Sequence, residues 1–201
     1  MLEQGITLLP ADSDPYGMAF REWTKQWWKW LSSIPTTYNP TMDTSGTNVT
    51  VKQQNEGVLF LCQTIESTPG TITRKSRISQ VRAIFMPVIN WISISGLDGN
   101  SEEELISVAE RKMDVVRDLE FEINGVRLTE ELKNYRVRSG IFDIDLPEEN
   151  IFDVSKGRRR AASDGYWVFF QCRRERINLS SFGSCSSGAT RISVNYDLIV
   201  E

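Results

Sequence analysis

The sequence predicts a mainly β fold: an antiparallel β-sandwich or jelly roll with an N-terminal Trp-rich helix and a second amphipathic helix. Three observations predict it. Roughly eight to ten segments are short apolar runs or apolar/polar alternations of strand length. Only two stretches carry the period of an amphipathic helix. No repeated strand–helix–strand alternation occurs, so a doubly wound parallel sheet is not expected.

The elements follow in order. Residues 1–13 form an N-terminal extension. Asp14 suits the N-cap and Pro15 the first helical position, so a helix is expected over 15–34. Its apolar stripe is Phe20, Trp23, Trp27, Trp30, Leu31 and Ile34, opposite Arg21, Glu22, Lys25, Gln26 and Lys29. Pro35 ends it, because the residue before a proline avoids helical geometry. Trp28 lies at the edge of the stripe and is the tryptophan expected to be exposed. A turn-rich segment, Thr36 to Gly46, leads into the sandwich at 47–201. Gly57 to Gln63 and Val81 to Trp91 read as strands buried on both faces, with a turn at Pro69-Gly70 between them. Pro87 demands an edge position or a bulge. Ser101 and Glu104 form a capping box for a second helix over 101–117, with Leu105, Val108, Ala109 and Val116 as its buried stripe. Asn124-Gly125 marks a hairpin between Leu119–Ile123 and Val126–Leu128. Ile141–Leu146, Tyr166–Cys172, Ile177–Leu179 and Thr190–Val200 complete the strands.

Composition removes whole classes of chemistry. With 201 residues, 40% hydrophobic and 25% charged, the chain is expected to fold as one domain without a metal or disulfide staple. It contains no histidine, which excludes a Ser-His-Asp triad, a Cys-His dyad, a His-ligated zinc or haem, and a histidine pH switch. The 23 basic and 27 acidic residues leave a net charge of −4, so the chain as a whole is no polyanion binder. Cys62, Cys172 and Cys185 form no CxxC pair, although Cys172 and Cys185 could still pair with each other. No signal peptide is recognisable at the N-terminus, and the longest apolar runs are far too short to span a bilayer. The sequons at Asn48 and Asn178 are therefore read as chance. The expected location is the cytoplasm, or an intracellularly assembled particle.

Four residues are singled out for binding: Trp28, Asp164, Tyr166 and Trp167. Asp164-Gly165 is good turn chemistry where a loop would enter the strand at Tyr166, and Tyr166 and Trp167 must then point to opposite faces. Asp143 and Asp145 share a strand face about 6–7 Å apart, a spacing open to glycoside chemistry or to an ordinary wet strand face. Lys156, Arg158, Arg159 and Arg160 read as a basic loop, either solvated or docking on an acidic partner. Acidic residues interleave with this run and no nucleic-acid fold signature accompanies it, so a nucleic-acid partner is not expected. Nothing in the sequence signals a metal site or a cofactor.

Several strings carry a resemblance. They run Asp14-Pro15-Tyr16-Gly17, Glu22-Trp23-Thr24, Trp27-Trp28-Lys29-Trp30, Ser33-Ile34-Pro35, Asn39-Pro40 and Asp43-Thr44-Ser45-Gly46. Further on come Gly57–Leu61, Ile84–Asn90, Asn124-Gly125, Tyr135–Ser139, Leu146–Asn150 and Ser163-Asp164-Gly165-Tyr166-Trp167. In this order, over most of the chain, they resemble an uncharacterised family of mostly secreted bacterial and archaeal β-rich proteins. The resemblance implies no activity. Family members typically carry two cysteines where this chain has Val49 and Ser76, which implies that a disulfide of secreted relatives has been lost here. The family's Gly-Lys-His-Thr-Ile turn corresponds to Arg173–Ile177, so a role resting on that histidine is excluded.

The functional expectation is a non-catalytic β-sandwich that works by binding a protein partner or its own copies. A subunit of a virion, particle or intracellular scaffold would fit. Tryptophan and arginine, both abundant here, are residue types favoured at interfaces. The alternatives are a glycan-binding module using Trp28, Tyr166 or Trp167, and a hydrolase dependent on Asp143 and Asp145.

Overall fold

Two strands dominate the molecule because their sequences are apolar on both faces. In the computed structural model, which describes residues 5–53, 57–65, 70–79, 81–173, 175–186 and 191–201, they are the longest strands. The order along the chain is β1 (Ile6–Leu8), α1 (Phe20–Ser32), β2 (Val58–Phe60), β3 (Ile72–Ile78), β4 (Ala83–Ile94), α2 (Glu102–Asp114), β5 (Val116–Ile123), β6 (Val126–Leu128), β7 (Arg136–Leu146), β8 (Gly157–Cys172), β9 (Arg176–Cys185) and β10 (Arg191–Val200).

One sheet runs β1-β8-β4-β2, with β7 beside the first half of β8 and β1 beside its end. The other runs β3-β10-β9-β5-β6. Most pairings are antiparallel, as the sequence predicts, but β2/β4 and β3/β10 are parallel, so both sheets are mixed. The cause is connectivity. The chain leaves the first sheet after β2, contributes β3 to the second sheet and returns as β4, which reverses its direction twice.

Two apolar clusters show how the layers stack. Even-numbered residues of β8 and of the first half of β4 (Val168, Phe170, Ile84, Met86) meet Phe121, Leu179, Val194 and Leu198 of the second sheet. Odd-numbered ones (Trp167, Phe169, Phe85) meet α1 through Phe20, Trp23, Trp27 and Trp30. The first sheet is thus the middle layer, buried on both faces, which is why β4 and β8 read as continuous apolar runs. The aromatic layer is tight. Phe85 and Trp167 stack with centroids 5.1 Å apart, and Trp27 meets Trp167 edge-on at 5.2 Å. The indole N–H groups of Trp23, Trp27 and Trp30 donate to the carbonyls of Pro15, Leu61 and Val51, so this aromatic mass also pins three loops.

Several expectations need correction. The helix begins at Phe20, not Pro15: Tyr16 and Gly17 take φ of 56° and 79°, a left-handed turn that no α-helix can contain. Asp14 makes no side-chain cap. Trp28 is not exposed. It is 6% accessible and edge-on to Trp27, within the apolar cluster that also takes in Leu31, Ile151 and Phe152. The second helix stops at Asp114, and Val116 opens β5, with Met113 buried in the role expected of Val116. Arg158–Arg160 lie in β8 rather than in a loop, and Asp164-Gly165 lies mid-strand rather than in a turn. Gly165 is required there by close approach. A Cβ at this position would lie 2.6 Å from Asn90 Cβ. No helix among the described residues is long and apolar enough to cross a membrane.

The energetic weight of the middle layer is testable. Trp167→Ala should lower the unfolding free energy by about 3–5 kcal/mol in urea titration, since it empties the centre of the aromatic layer. Glu120→Ala, on the wet face of the second sheet, should stay within about 0.5 kcal/mol.

Candidate functional site

A register shift in β4 creates the most distinctive feature of the surface. The β4–β8 ladder is regular through Pro87↔Trp167 and resumes at Ile89↔Tyr166, leaving Val88 as an extra residue. The bulge placed by Pro87 inverts the strand's parity. Before it, Phe85 faces α1; after it, Ile92 and Ile94 do. The free edge is inverted too. Before the bulge the Phe85 carbonyl points away from β8 and accepts from Leu61 N–H at 3.1 Å. After it, Ser95 N–H donates to Arg160, so by alternation the backbones of Asn90, Ile92 and Ile94 face away from β8.

Among the described residues no strand pairing extends β2 along this second half of β4, although Thr64 and Ile65, which follow Gln63, line the cavity beside it. The three residues of β2 pair only with Ala83, Ile84 and Phe85. Two side chains occupy the ends of the open edge. The Gln63 amide donates to the carbonyls of Pro87 and Val88 at 3.1 and 2.8 Å, and Asp98 Oδ2 accepts from Ile94 N–H at 2.8 Å. Among the described residues, no hydrogen bond from outside the ladder reaches the backbone of Asn90 or Ile92.

Against this edge lies a cavity of about 400 Å³, mostly apolar in lining. Trp27, Trp28 and Leu31 of α1 wall one side; Met113 and Val115 at the end of α2, with Ile192, wall the other. Leu97 and Val115, two of the few large apolar side chains left exposed, sit at its margin at 55% and 41% accessibility. Lys112 also lines it, with Nζ 4.3 Å from the centroid of the Trp91 ring. Four wall residues hold buried polar atoms without a hydrogen-bond partner: Trp28 Nε1, Gln63 Oε1, Asn90 Nδ2 and Trp91 Nε1. Each such group costs about 1–3 kcal/mol if it stays unpaired.

The residues singled out from sequence are only partly gathered here. Trp28 lines the cavity. Trp167 is fully buried in the aromatic layer, and Tyr166 packs, half-buried, against the inter-sheet core. Neither Trp28 nor Trp167 offers a flat exposed ring. Asp164 is buried in an ion-pair network. Arg136 holds it through two nitrogens at 2.6 and 3.0 Å, Arg138 approaches at 3.7 Å, and Arg136 also reaches Asp114 of α2 at 2.7 Å. Burial pushes the Asp164 carboxyl above the usual aspartate range, and the two guanidiniums pull it back.

Asp143 and Asp145 are exposed on β7 and line a separate polar groove of about 520 Å³ with Glu22, Lys25 and Lys29 of α1. Asp145 is paired with Arg158 at 3.2 Å. The basic run is likewise engaged. Arg160 meets Glu102, and Lys156 meets Glu148. The side chain of Cys172 lies outside the described residues, and with it the question of its pairing with Cys185. No cluster of metal-ligating side chains occurs among the described residues.

Sequence reasoning missed Arg74. It is fully buried and donates to the carbonyls of Asp43, Cys62 and Thr41 and to the Tyr196 hydroxyl. Burial pushes the Tyr196 phenol and the Cys62 thiol up, so both are held protonated beside the guanidinium. Strand alternation places Arg74 on the face of Ile72 and Ile78, opposite the exposed Lys75 and Arg77, but the string does not reveal the distant carbonyls and hydroxyl that pair it. The cavity was missed for a similar reason. Gln63, Asn90, Leu97, Lys112 and Val115 come from separate segments, and no motif links them.

No protein-family model matches the chain, and no curated protein matches it. Among solved structures, one titled "Structure of PbICP-C in complex with falcipain-2" is similar over 73% of this chain and 100% of that chain, at 8% identity and a TM-score of 0.30. A likeness that loose carries no argument.

The Asp164 network yields a prediction with a defined sign. Arg136→Met leaves the Asp164 carboxylate, 1% accessible, without its main partner and should cost about 3–5 kcal/mol at neutral pH. The folded protein then holds the Asp164 proton to higher pH than the unfolded chain does. Stability therefore falls as pH rises through the folded pKa. Urea titrations of this variant should show a larger gain in stability on acidification below neutral pH than the parent protein shows, and one that begins at higher pH.

Proposed function

We propose that this chain works by binding rather than by catalysis, and that it engages a protein partner at the cavity beside β4. The observation that carries this is the cavity itself: an apolar space of about 400 Å³ with exposed Leu97 and Val115 at its margin. Apolar concavities with a few polar groups in their walls are the usual form of a binding site. Exposed apolar side chains gathered at one place mark interaction surfaces more often than chance. The polar outer face of the second sheet, with Thr73, Lys75, Asn178 and Ser180, offers no comparable patch.

Other observations support binding over chemistry. Asp145 and Asp164 are each tied to arginine. The Cys62 thiol is fully buried and its pKa is raised by that burial, the opposite of an activated nucleophile. A place as one subunit of a larger assembly follows from the same reading, since such a subunit needs an apolar socket for its neighbour.

The test uses anilinonaphthalene sulfonate, a fluorescent apolar probe, on the folded protein. Saturable one-to-one enhancement is expected, with Val115→Trp, which fills the margin of the cavity, weakening it at least about tenfold. Asp143→Asn, in the other groove, should leave it unchanged. A flat titration, or one unaffected by Val115→Trp, sinks the proposal.

A further inference from the structure

We infer that the occupant of the cavity is an extended apolar segment of a partner protein, added as a strand to the edge of β4 that, among the described residues, is left open between Gln63 and Asp98. The inference rests on reading the cavity as the binding site and goes on to name what binds there.

The argument begins with backbone groups. Asn90 and Ile92 present two N–H and two C=O groups to the cavity side of β4. Such groups normally find partners, and an open edge is a template for another strand. The protein already imitates that strand at both ends. The Gln63 amide supplies donors to Pro87 and Val88, and the Asp98 carboxylate supplies an acceptor to Ile94. Between those two plugs the edge runs from Ile89 to Ser93. At about 3.3 Å per residue that is about 16 Å, the length of four or five residues of extended chain.

The walls fit the same occupant. A strand sends successive side chains to opposite faces. Here one face would meet Trp27, Trp28 and Leu31, and the other Met113, Val115 and Ile192. Both faces of the added strand must therefore be apolar. Charge agrees. The walls carry one cation and one carboxylate, Lys112 on the Trp91 ring and Asp98 on the Ile94 amide, so an uncharged segment is the complement. The unpaired Gln63 Oε1 and Asn90 Nδ2 are halves of amides, the same donor and acceptor chemistry that a peptide backbone provides. An apolar small molecule would fill the volume but leave the edge groups of Asn90 and Ile92 unpaired. Pairing of the main chain with pockets for alternate side chains is the general mode of strand addition.

The probe is a capped hexapeptide, Lys-Val-Ile-Val-Val-Lys, compared with the same peptide N-methylated at its central amides, both measured by displacement of anilinonaphthalene sulfonate from the full chain. The unmodified peptide should displace the dye and slow hydrogen exchange at the Ile92 amide at least about tenfold, and the methylated one should bind at least about tenfold more weakly. Equal displacement by both peptides, or displacement by neither while the dye still binds, overturns strand addition and leaves the cavity as a site for small apolar ligands. Absence of dye binding removes the binding reading as well.

Discussion

Burial of one sheet on both of its faces is the constraint from which the rest of this structure follows. β4 and the second half of β8 are apolar on both sides, and neither side can face water. One face is covered by the second sheet, and where that sheet ends, by α2 through Leu105, Ala109 and Met113. The other is covered by α1, a helix of only 13 residues. A short helix covers a broad sheet only with large side chains, and Phe20, Trp23, Trp27 and Trp30 supply the area.

The residues that look most like a motif mostly serve that packing. Asn39 is buried and donates to the carbonyls of Leu31 and Ile34, satisfying the C-terminal end of α1. Asp43 accepts from the backbones of Ser45, Gly46 and Asn48, which shapes the turn that Arg74 holds from inside. Gly46 passes so close to β3 that a Cβ there would lie 2.6 Å from the backbone of Lys75. Asn150 bonds the carbonyls of Pro147 and Val154 and closes the loop between β7 and β8. Polar side chains with several simultaneous partners specify loop geometry, and specificity of that kind reads in a sequence much as a catalytic motif does.

The bulge at Val88 divides β4 into two strands with different neighbours. The first half is central, between β8 and β2, and is closed to solvent. The second half is an edge, and edges are normally blunted by charge, brevity or cover. Among the described residues the cover consists of two side chains and the layers on either side, and no hydrogen bond from it reaches the backbone of Asn90 or Ile92. By contrast, β7 at the opposite margin carries Arg136, Arg138, Asp143 and Asp145, a charged edge of the protected kind.

The sequence alone settled the mainly β class, the two helices, the capping box at Ser101, the Asn124-Gly125 hairpin and the need for an edge position or a bulge at Pro87. Each of these depends on local rules: side-chain periodicity, turn chemistry, and proline's missing N–H. Only the tertiary structure decided that Trp28 is buried, that Asp164 answers Arg136, that Asp164-Gly165 lies inside a strand, and that an open edge of β4 faces an apolar cavity. The physical reason is the same in every case. Burial, ion pairing and strand neighbours are set by residues distant in the chain, which periodicity within a single segment cannot register.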